Sequence, residues 1–233
     1  MWLKYASIVS IILLITISNS YPTEAQILDS SQKNSELATR LIKNVALEGQ
    51  LWNLLTRLSL DYHIPIGLEI SSDEQLSNRY RVELSEGTIA DLMGQITTQN
   101  ERYDWLIENG VVNIFPRDKY RNAFLAELLK IRIANFALTQ NSDCWKLEQD
   151  LVNTPEIKAV IDAHGMRTGT NFSGSYIPQL GQLSLKISDS TLKATLNSII
   201  RESHLARIWV ISTDAISRTL TLRVNSRQLE ESH

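Results

Sequence analysis

The feature that most constrains the fold of this chain is an internal repeat. The phrase IKNVAL, residues 42 to 47, returns 91 residues later as IANFAL, residues 133 to 138. Each phrase opens a stretch with the same order of predicted elements, β-α-β-β-α-β-β. Solenoids normally need three or more repeats to bury a continuous core, so two copies predict two tandem small α+β domains, each with helices packed on a small sheet.

The first copy, residues 41 to 115, shows clear apolar periodicity. One helix is predicted by leucines at i, i+3, i+4 and i+7, which are Leu51, Leu54, Leu55 and Leu58. Strands are predicted by the alternation in HIPIGLEI (63 to 70) and YRVEL (80 to 84). The phrase LIKNVAL also predicts a strand, although its alternation is imperfect at Asn44.

The end of this copy carries two local signals. Thr88 with Asp91 three residues later predicts the capped start of a second helix. Asn109-Gly110, between two apolar runs, predicts a tight β-hairpin.

The second copy, residues 131 to 224, keeps this order with two departures. Pro155 and Gly165 bracket an inserted helix at 154 to 164. The last hairpin turn, STDAIS (212 to 217), differs from the Asn-Gly turn of the first copy.

Polar segments flank the two copies. Residues 116 to 130 are predicted to hold the linker, PRDKYRN (116 to 122), and the start of the second unit. If that linker is exposed, proteolysis should release two folded halves. Residues 26 to 40 are predicted as a polar linker and 225 to 233 as a polar tail.

The N-terminus predicts export. Lys4 precedes an apolar run at 6 to 17, which is short for a membrane span and typical of a signal peptide. Cleavage after residue 20 or 25 would place the mature protein in the periplasm or outside the cell, with no membrane span. An uncleaved anchor is the alternative.

Composition excludes one class of partner and one kind of cross-link. The formal net charge is −3 and there is no long Lys/Arg cluster, so nucleic acid is not an expected partner. The single cysteine, Cys144, excludes an intramolecular disulfide.

The order and spacing of these elements resemble the secretin and TonB short N-terminal domain. The family shows an x-N-V-x-L strand, a Leu-striped helix, a strand pair, a second helix and an N-x-V-x-I strand. In this chain the matching segments are Asn44 to Leu47, Leu51 to Leu58, Ile64 to Leu84, Thr88 to Ile96 and Asn109 to Ile114. The resemblance covers 41 to 115 well and 131 to 224 more weakly.

The resemblance implies a role as an adaptor. Domains of this family lie in the periplasmic part of secretin pores and outer-membrane receptors, where they contact neighbouring subunits or regulators. They carry no catalytic residues, so none is expected here, nor is a cofactor.

Candidate chemical sites were weighed separately. The set Cys144, His164 and His204 could hold a metal ion, and Cys144 with His164 could form a nucleophile pair. His63 and His233 belong to no metal-binding spacing. Cys144 lies 93 residues after Leu51, so a buried structural role is the preferred interpretation.

Two further residue classes were considered. Acidic residues such as Glu83 and Glu86 are interpreted as solvated surface rather than as a glycosidase pair. Four tryptophans, Trp52, Trp105, Trp145 and Trp209, are interpreted as core or inter-domain packing rather than as a glycan platform.

The sequence therefore predicts an exported, non-enzymatic adaptor of the cell envelope. Its expected partner is a secretin, pilus or TonB-receptor component, or a second copy of itself. The expected contacts are strand edges beside the hairpins Asn109-Gly110 and Thr213-Asp214, on two separate small sheets. A small-ligand or glycan-binding protein and an unrecognised hydrolase are the alternatives.

Overall fold

The structure is a computed structural model that describes residues 24–70, 78–139, 143–169, 183–203 and 205–226. It is a mixed α+β fold, as predicted. Residues 1–23 of the predicted signal peptide, residues 227–233 of the predicted tail (225–233) and His204 lie outside the described residues, whereas 225 and 226 end β10.

The elements follow one another in the predicted order. The helices are α1 (Glu24–Thr39), α2 (Leu51–Asp61), α3 (Ile89–Thr98), α4 (Ala123–Leu128), α5 (Cys144–Val152), α6 (Pro155–Ala163) and α7 (Leu192–Glu202). The strands of the first copy are β1 (Leu41–Gly49), β2 (Ile66–Glu69), β3 (Tyr80–Thr88), β4 (Tyr103–Glu108) and β5 (Val111–Pro116). Those of the second are β6 (Arg132–Leu138), β7 (Arg167–Thr168), β8 (Leu185–Thr191), β9 (Ala206–Asp214) and β10 (Thr219–Ser226).

The internal repeat is confirmed in three dimensions. Strand β1 pairs antiparallel with β3, and β6 pairs antiparallel with β8 in the same way. Each ribbon leads into a helix capped by a threonine, Thr88 for α3 and Thr191 for α7. The inserted helix is α6, with Pro155 in its first turn and Gly165 after its end at φ +57.

The imperfect alternation in β1 has a local cause. Asn44 has a φ of +57, the left-handed conformation that asparagine tolerates better than most residues. This residue interrupts the pleat, so Ile42 on one side and Val45 and Leu47 on the other all face the core. The same spacing of buried residues recurs in β6, where the residue with positive φ is Asp189 on the paired strand β8.

The two copies do not form separate sheets, and that expectation is wrong. The central sheet has six strands in the order β4-β5-β2-β9-β10-β7. The first copy supplies three of them and the second copy the other three. They join where β2 runs parallel to β9, with Ile66 beside Ile208 and Leu68 beside Val210.

The hydrophobic cores are shared across this junction. Ile208 and Val210 of the second copy are buried in the core built by the helices of the first copy. Val111 of the first copy is buried in the core of the second copy. Each half therefore covers apolar strand residues that belong to the other half.

One close contact fixes the spacing at the junction. Gly67 on β2 lies beside Trp209 on β9, whose indole occupies the space of a side chain at position 67. A Cβ on Gly67 would lie 2.4 Å from the nearest ring carbon. The indole Nε1 donates a 2.8 Å hydrogen bond to Asn197 Oδ1 on α7.

The predicted linker is tied to the sheet. Arg121 makes a two-pronged ion pair with Glu69, a residue 1% exposed on β2, at 3.1 and 2.8 Å. Asn122 caps α4 and also donates to Thr213 Oγ1 on β9. The connection is therefore part of the packed structure.

Residues 26 to 40 are not a linker, and that prediction is wrong. They lie almost entirely in α1, which packs against α3 and β4. Leu37 is buried in the first core, and Asn34 Oδ1 accepts a hydrogen bond from the Gly110 N–H. Tertiary contacts thus stabilise a helix that lacks a strong apolar stripe of its own.

We predict that the two halves unfold together. Urea unfolding followed by circular dichroism and by tryptophan fluorescence should give one coincident transition, because each half buries strand residues of the other. Fragments 41–115 and 131–224 should lack cooperative unfolding when expressed separately. Two resolved transitions, or a folded isolated fragment, would show that each half has a sufficient core of its own.

We also predict that Gly67→Ala is strongly destabilising. The added methyl group would collide with the Trp209 indole and force it off Asn197, which should lower the free energy of unfolding by about 3 kcal/mol. The matched control is Gly94→Ala in α3, where no atom lies within 4 Å of the added Cβ. That change should raise the free energy of unfolding by about 0.5 to 1 kcal/mol. Similar urea midpoints for the two variants would contradict the close contact.

Candidate functional site

Strand edges are the feature of this fold that bears most directly on binding. An edge presents unpaired backbone N–H and C=O groups that can accept a strand from another chain. Several edges in this protein are instead covered by a side chain that hydrogen bonds to the backbone. The pattern of covered and open edges identifies the candidate site.

The edge of β3 is covered by an amide. Gln99, which follows α3, accepts a hydrogen bond from the Arg81 N–H at 2.9 Å and donates one to the Arg81 carbonyl at 2.8 Å. The side chain thus pairs with Arg81 as a neighbouring strand would. It satisfies one donor and one acceptor on that edge.

Carboxylates cover two other edges. Glu156 on α6 accepts from the Ala134 N–H of β6 at 3.0 Å, and Glu148 on α5 accepts from the Val224 N–H of β10 at 2.7 Å. The backbone hydrogen bond from Ala134 lowers the pKa of Glu156, so its carboxylate stays ionised at this edge.

The outer strands β1 and β4 carry similar contacts. The Tyr62 hydroxyl donates to the Asn44 carbonyl at 3.0 Å, and Asp104 Oδ1 accepts from the Trp105 N–H at 2.8 Å. These contacts place a side chain beside the backbone at single positions. They leave less of each edge free for another strand.

The edge of β8 differs from these. From 184 to 188, the described structure shows no hydrogen bond to the backbone other than the ladder with β6. The two copies differ at this position. Glu202 lies 103 residues after Gln99, and a carboxylate has no N–H group to donate to the carbonyl of Ser184, the residue that matches Arg81.

A groove runs along this open edge. Its volume is about 560 Å³, and β8 and the C-terminal half of α7 form its walls. Its polar lining residues include Ser184, Ser188, Ser198, Arg201 and Glu202. Arg201 donates to Glu202 at 2.9 Å, which holds the acid on the α7 side of the groove.

Apolar side chains of β8 are more exposed than the core-facing Val82 of β3. Leu185 is half-buried, whereas Val82, its counterpart on β3, is fully buried. A strand added at β8 would meet main-chain groups, small hydroxyl side chains, Lys186 and the half-buried Leu185 and Ile187. Such a surface recognises an extended segment mainly through its backbone.

The hairpin at Asn109-Gly110 forms as predicted. Both residues have positive φ, +54 and +74, and β4 lies at the edge of the central sheet. The turn is held by neighbouring helices: the Gly110 N–H donates to Asn34, and the Asn109 carbonyl accepts from Arg201 at 3.2 Å. Its role as a contact stays a prediction.

The second predicted hairpin lies at the end of an inner strand of the central sheet. Thr213 and Asp214 end β9, which pairs with β2 on one side and β10 on the other. Asp214 closes its own turn by accepting from the Ser217 and Ile216 N–H groups, which lowers its pKa. β2 pairs with β9 only as far as Ile211, before these two residues, so their role as a contact stays a prediction.

The residues considered for metal binding or nucleophilic catalysis are buried in the core or contact neighbouring side chains. Cys144 is 2% exposed in the second core, at the position that matches buried Leu51. His164 is partly exposed, contacts Glu127 Oε2 at 3.1 Å and packs on the Phe124 ring. The described residues contain no cluster of three or more His, Cys, Asp or Glu side chains arranged to hold a metal ion.

The tryptophan interpretation holds for three of the four residues. Trp209 is buried at the junction, and Trp52 and Trp105 pack partly buried against the first core. Trp145 is 43% exposed on α5, so its expected burial is wrong. A residue at the second position of a helix can face solvent even when its counterpart in the other copy does not.

The side chains that cover the edges were not predicted from the sequence. Gln99, Glu148 and Glu156 carry no motif. Two of them could have been found from the repeat, because Gln99 aligns with Glu202 and Glu148 aligns with Leu55. A change of residue type between equivalent positions of the two copies is the feature of the sequence that marks them.

Comparison with models of known protein families, with curated proteins and with solved structures finds no match. Among the helices of the described residues, none combines the length and apolar character needed to cross a bilayer.

Proposed function

We propose that this protein is an exported adaptor of the cell envelope that captures an extended segment of another protein at the edge of β8. The segment would add to the β6-β8 ribbon as a third strand and occupy the groove beside α7. Adaptor function follows the resemblance to secretin and TonB short N-terminal domains. The open β8 edge is the observation that supports it.

The two copies differ in the side chain that lies beside this edge. The first copy carries Gln99 at this position, and the Gln99 amide is hydrogen bonded to the N–H and carbonyl of Arg81 on β3. The second copy carries Glu202 there. A carboxylate can accept hydrogen bonds from nearby N–H groups but cannot donate to carbonyls. The carbonyls of β8 therefore remain available to a partner's N–H groups.

The chemistry of the groove favours one kind of occupant. Ser184, Ser188 and Ser198 line it, Arg201 pairs with Glu202, and Lys186 adds one positive charge. We therefore expect an extended segment with small, polar or acidic side chains, bound mainly by its backbone.

The binding test transfers the covering side chain from one copy to the other. Glu202→Gln should let an amide reach Ser184 as Gln99 reaches Arg81. Peptides selected from a displayed library of short random sequences should bind the wild-type chain at 184–188, as mapped by amide NMR shifts. Their affinity for Glu202→Gln should fall by about tenfold or more.

Two controls define the outcome. Glu101→Gln removes the same charge at an exposed site away from the groove and should leave peptide affinity unchanged. Gln99→Ala removes the acceptor of the Arg81 N–H, so it should speed hydrogen exchange at the Arg81 amide without weakening binding at β8. Selected peptides that shift amides elsewhere, or that bind Glu202→Gln with undiminished affinity, would contradict the proposal.

The export part of the proposal has a separate test. Residues 1–25 fused to a reporter enzyme that is active only outside the cytoplasm should produce activity, because the apolar run at 6 to 17 is typical of a signal peptide. Replacing two leucines of that run, Leu13 and Leu14, by arginine should abolish the activity. Equal reporter activity with and without the two arginines would contradict export through this segment.

A further inference from the structure

Glu148 is a buried acid in a position that the first copy fills with an apolar residue. Its counterpart, Leu55, is fully buried in the first core. Glu148 is only 8% exposed and lies among the buried residues of α5. An acid at such a site needs a partner, because an unpaired buried carboxylate is costly.

Its partner is the backbone of β10. Glu148 Oε1 accepts the 2.7 Å hydrogen bond from the Val224 N–H. Strand β7 covers the outer side of β10 only at Thr219 and Leu220 among the described residues. Helix α5 packs along β10 further on, so Glu148 is the point where that helix holds the end of the strand.

Burial and two nearby charges determine the pKa of this carboxyl group. The pKa of Glu148 is raised from 4.5 to about 7, chiefly because the carboxyl group is buried, and nearby Asp143 contributes in the same direction. The Val224 hydrogen bond and the Arg223 charge act in the opposite direction. Burial is the largest of these effects.

The neighbouring helix α6 adds little to this balance. Its charged side chains are engaged elsewhere: Glu156 binds the Ala134 N–H, and Lys158 pairs with Asp162 at 2.8 Å. Asp143 and Arg223 are therefore the charged groups that act on Glu148 from the packed elements.

We infer that Glu148 is a pH-sensitive latch that holds the C-terminal part of β10 against α5 and is released as the solution becomes less acidic. In the closed state the carboxyl group is buried on Val224. In the open state it reaches water, and the Val224 N–H becomes exposed. The latch acts on a different strand from β8, so it stands independently of the proposed binding edge.

The direction of the switch follows from linkage. The closed state holds the proton up to a pH of about 7, whereas a carboxyl group in water releases it near pH 4.5. The open state therefore gains relative to the closed state as the pH rises between these values, by up to about tenfold per pH unit. Above a pH of about 7 both states are ionised and the balance stays constant.

The experiment measures hydrogen exchange at the Val224 amide between about pH 5 and about pH 8, corrected for the intrinsic pH dependence of exchange. Protection should fall by about tenfold or more up to pH 7 and then level off. The Ala134 amide is the internal control. Its acceptor, Glu156, has a lowered pKa, so its protection should stay constant.

Two variants complete the test. Glu148→Gln keeps an acceptor for Val224 without titrating, so the protection of Val224 should no longer depend on pH. Glu148→Leu places the residue of the first copy there and should leave Val224 exchanging rapidly at every pH. Constant protection in the wild-type chain, or the same decline in Glu148→Gln, would overturn the inference even if the leucine variant fails to fold.

Discussion

The parallel pairing of β2 with β9 is the interaction on which the rest of the structure depends. It joins three strands from each copy into one sheet, and it requires the backbone of Gly67 to lie directly beside the Trp209 indole. Once the strands are joined, each face of the sheet needs a cover. The helices of the first copy cover Ile208 and Val210, and the second core buries Val111. The doubling of the unit thus provides mutual burial, which a single small unit with one core would lack.

The same pairing decides which strands remain at edges. β9 would end the sheet of the second copy, but β2 occupies that place from Ile208 to Ile211. The outermost backbone groups are then met by side chains: Gln99 on β3, Glu156 on β6 and Glu148 on β10. Covering edges in this way prevents unwanted pairing between chains. Among the described residues, the backbone of β8 from 184 to 188 shows no such cover, which is why we propose it as a place for pairing.

Two acids distinguish the second copy from the first. Glu202 stands where the first copy has an amide that covers a strand, and Glu148 stands where the first copy has a leucine that fills the core. In both cases the backbone fold is retained and only the side chain changes. The binding edge and the latch that we propose would therefore require no change of architecture, because the positions that differ lie at the edge of a ribbon and at the end of a strand.

The sequence by itself determined the identity and order of most elements. Leucine spacing at 51 to 58, alternation at 80 to 84, the cap at Thr88 and the turn at Asn109-Gly110 are local patterns, and local periodicity is what a chain encodes most directly. Tertiary structure alone decided that 24 to 39 is helical, because Leu37 and Asn34 gain their partners only in the folded core. It also decided that the two sheets merge and that Gln99 covers an edge. Those outcomes depend on contacts between residues far apart in the chain, such as Gly67 with Trp209, which leave no periodic trace in the sequence.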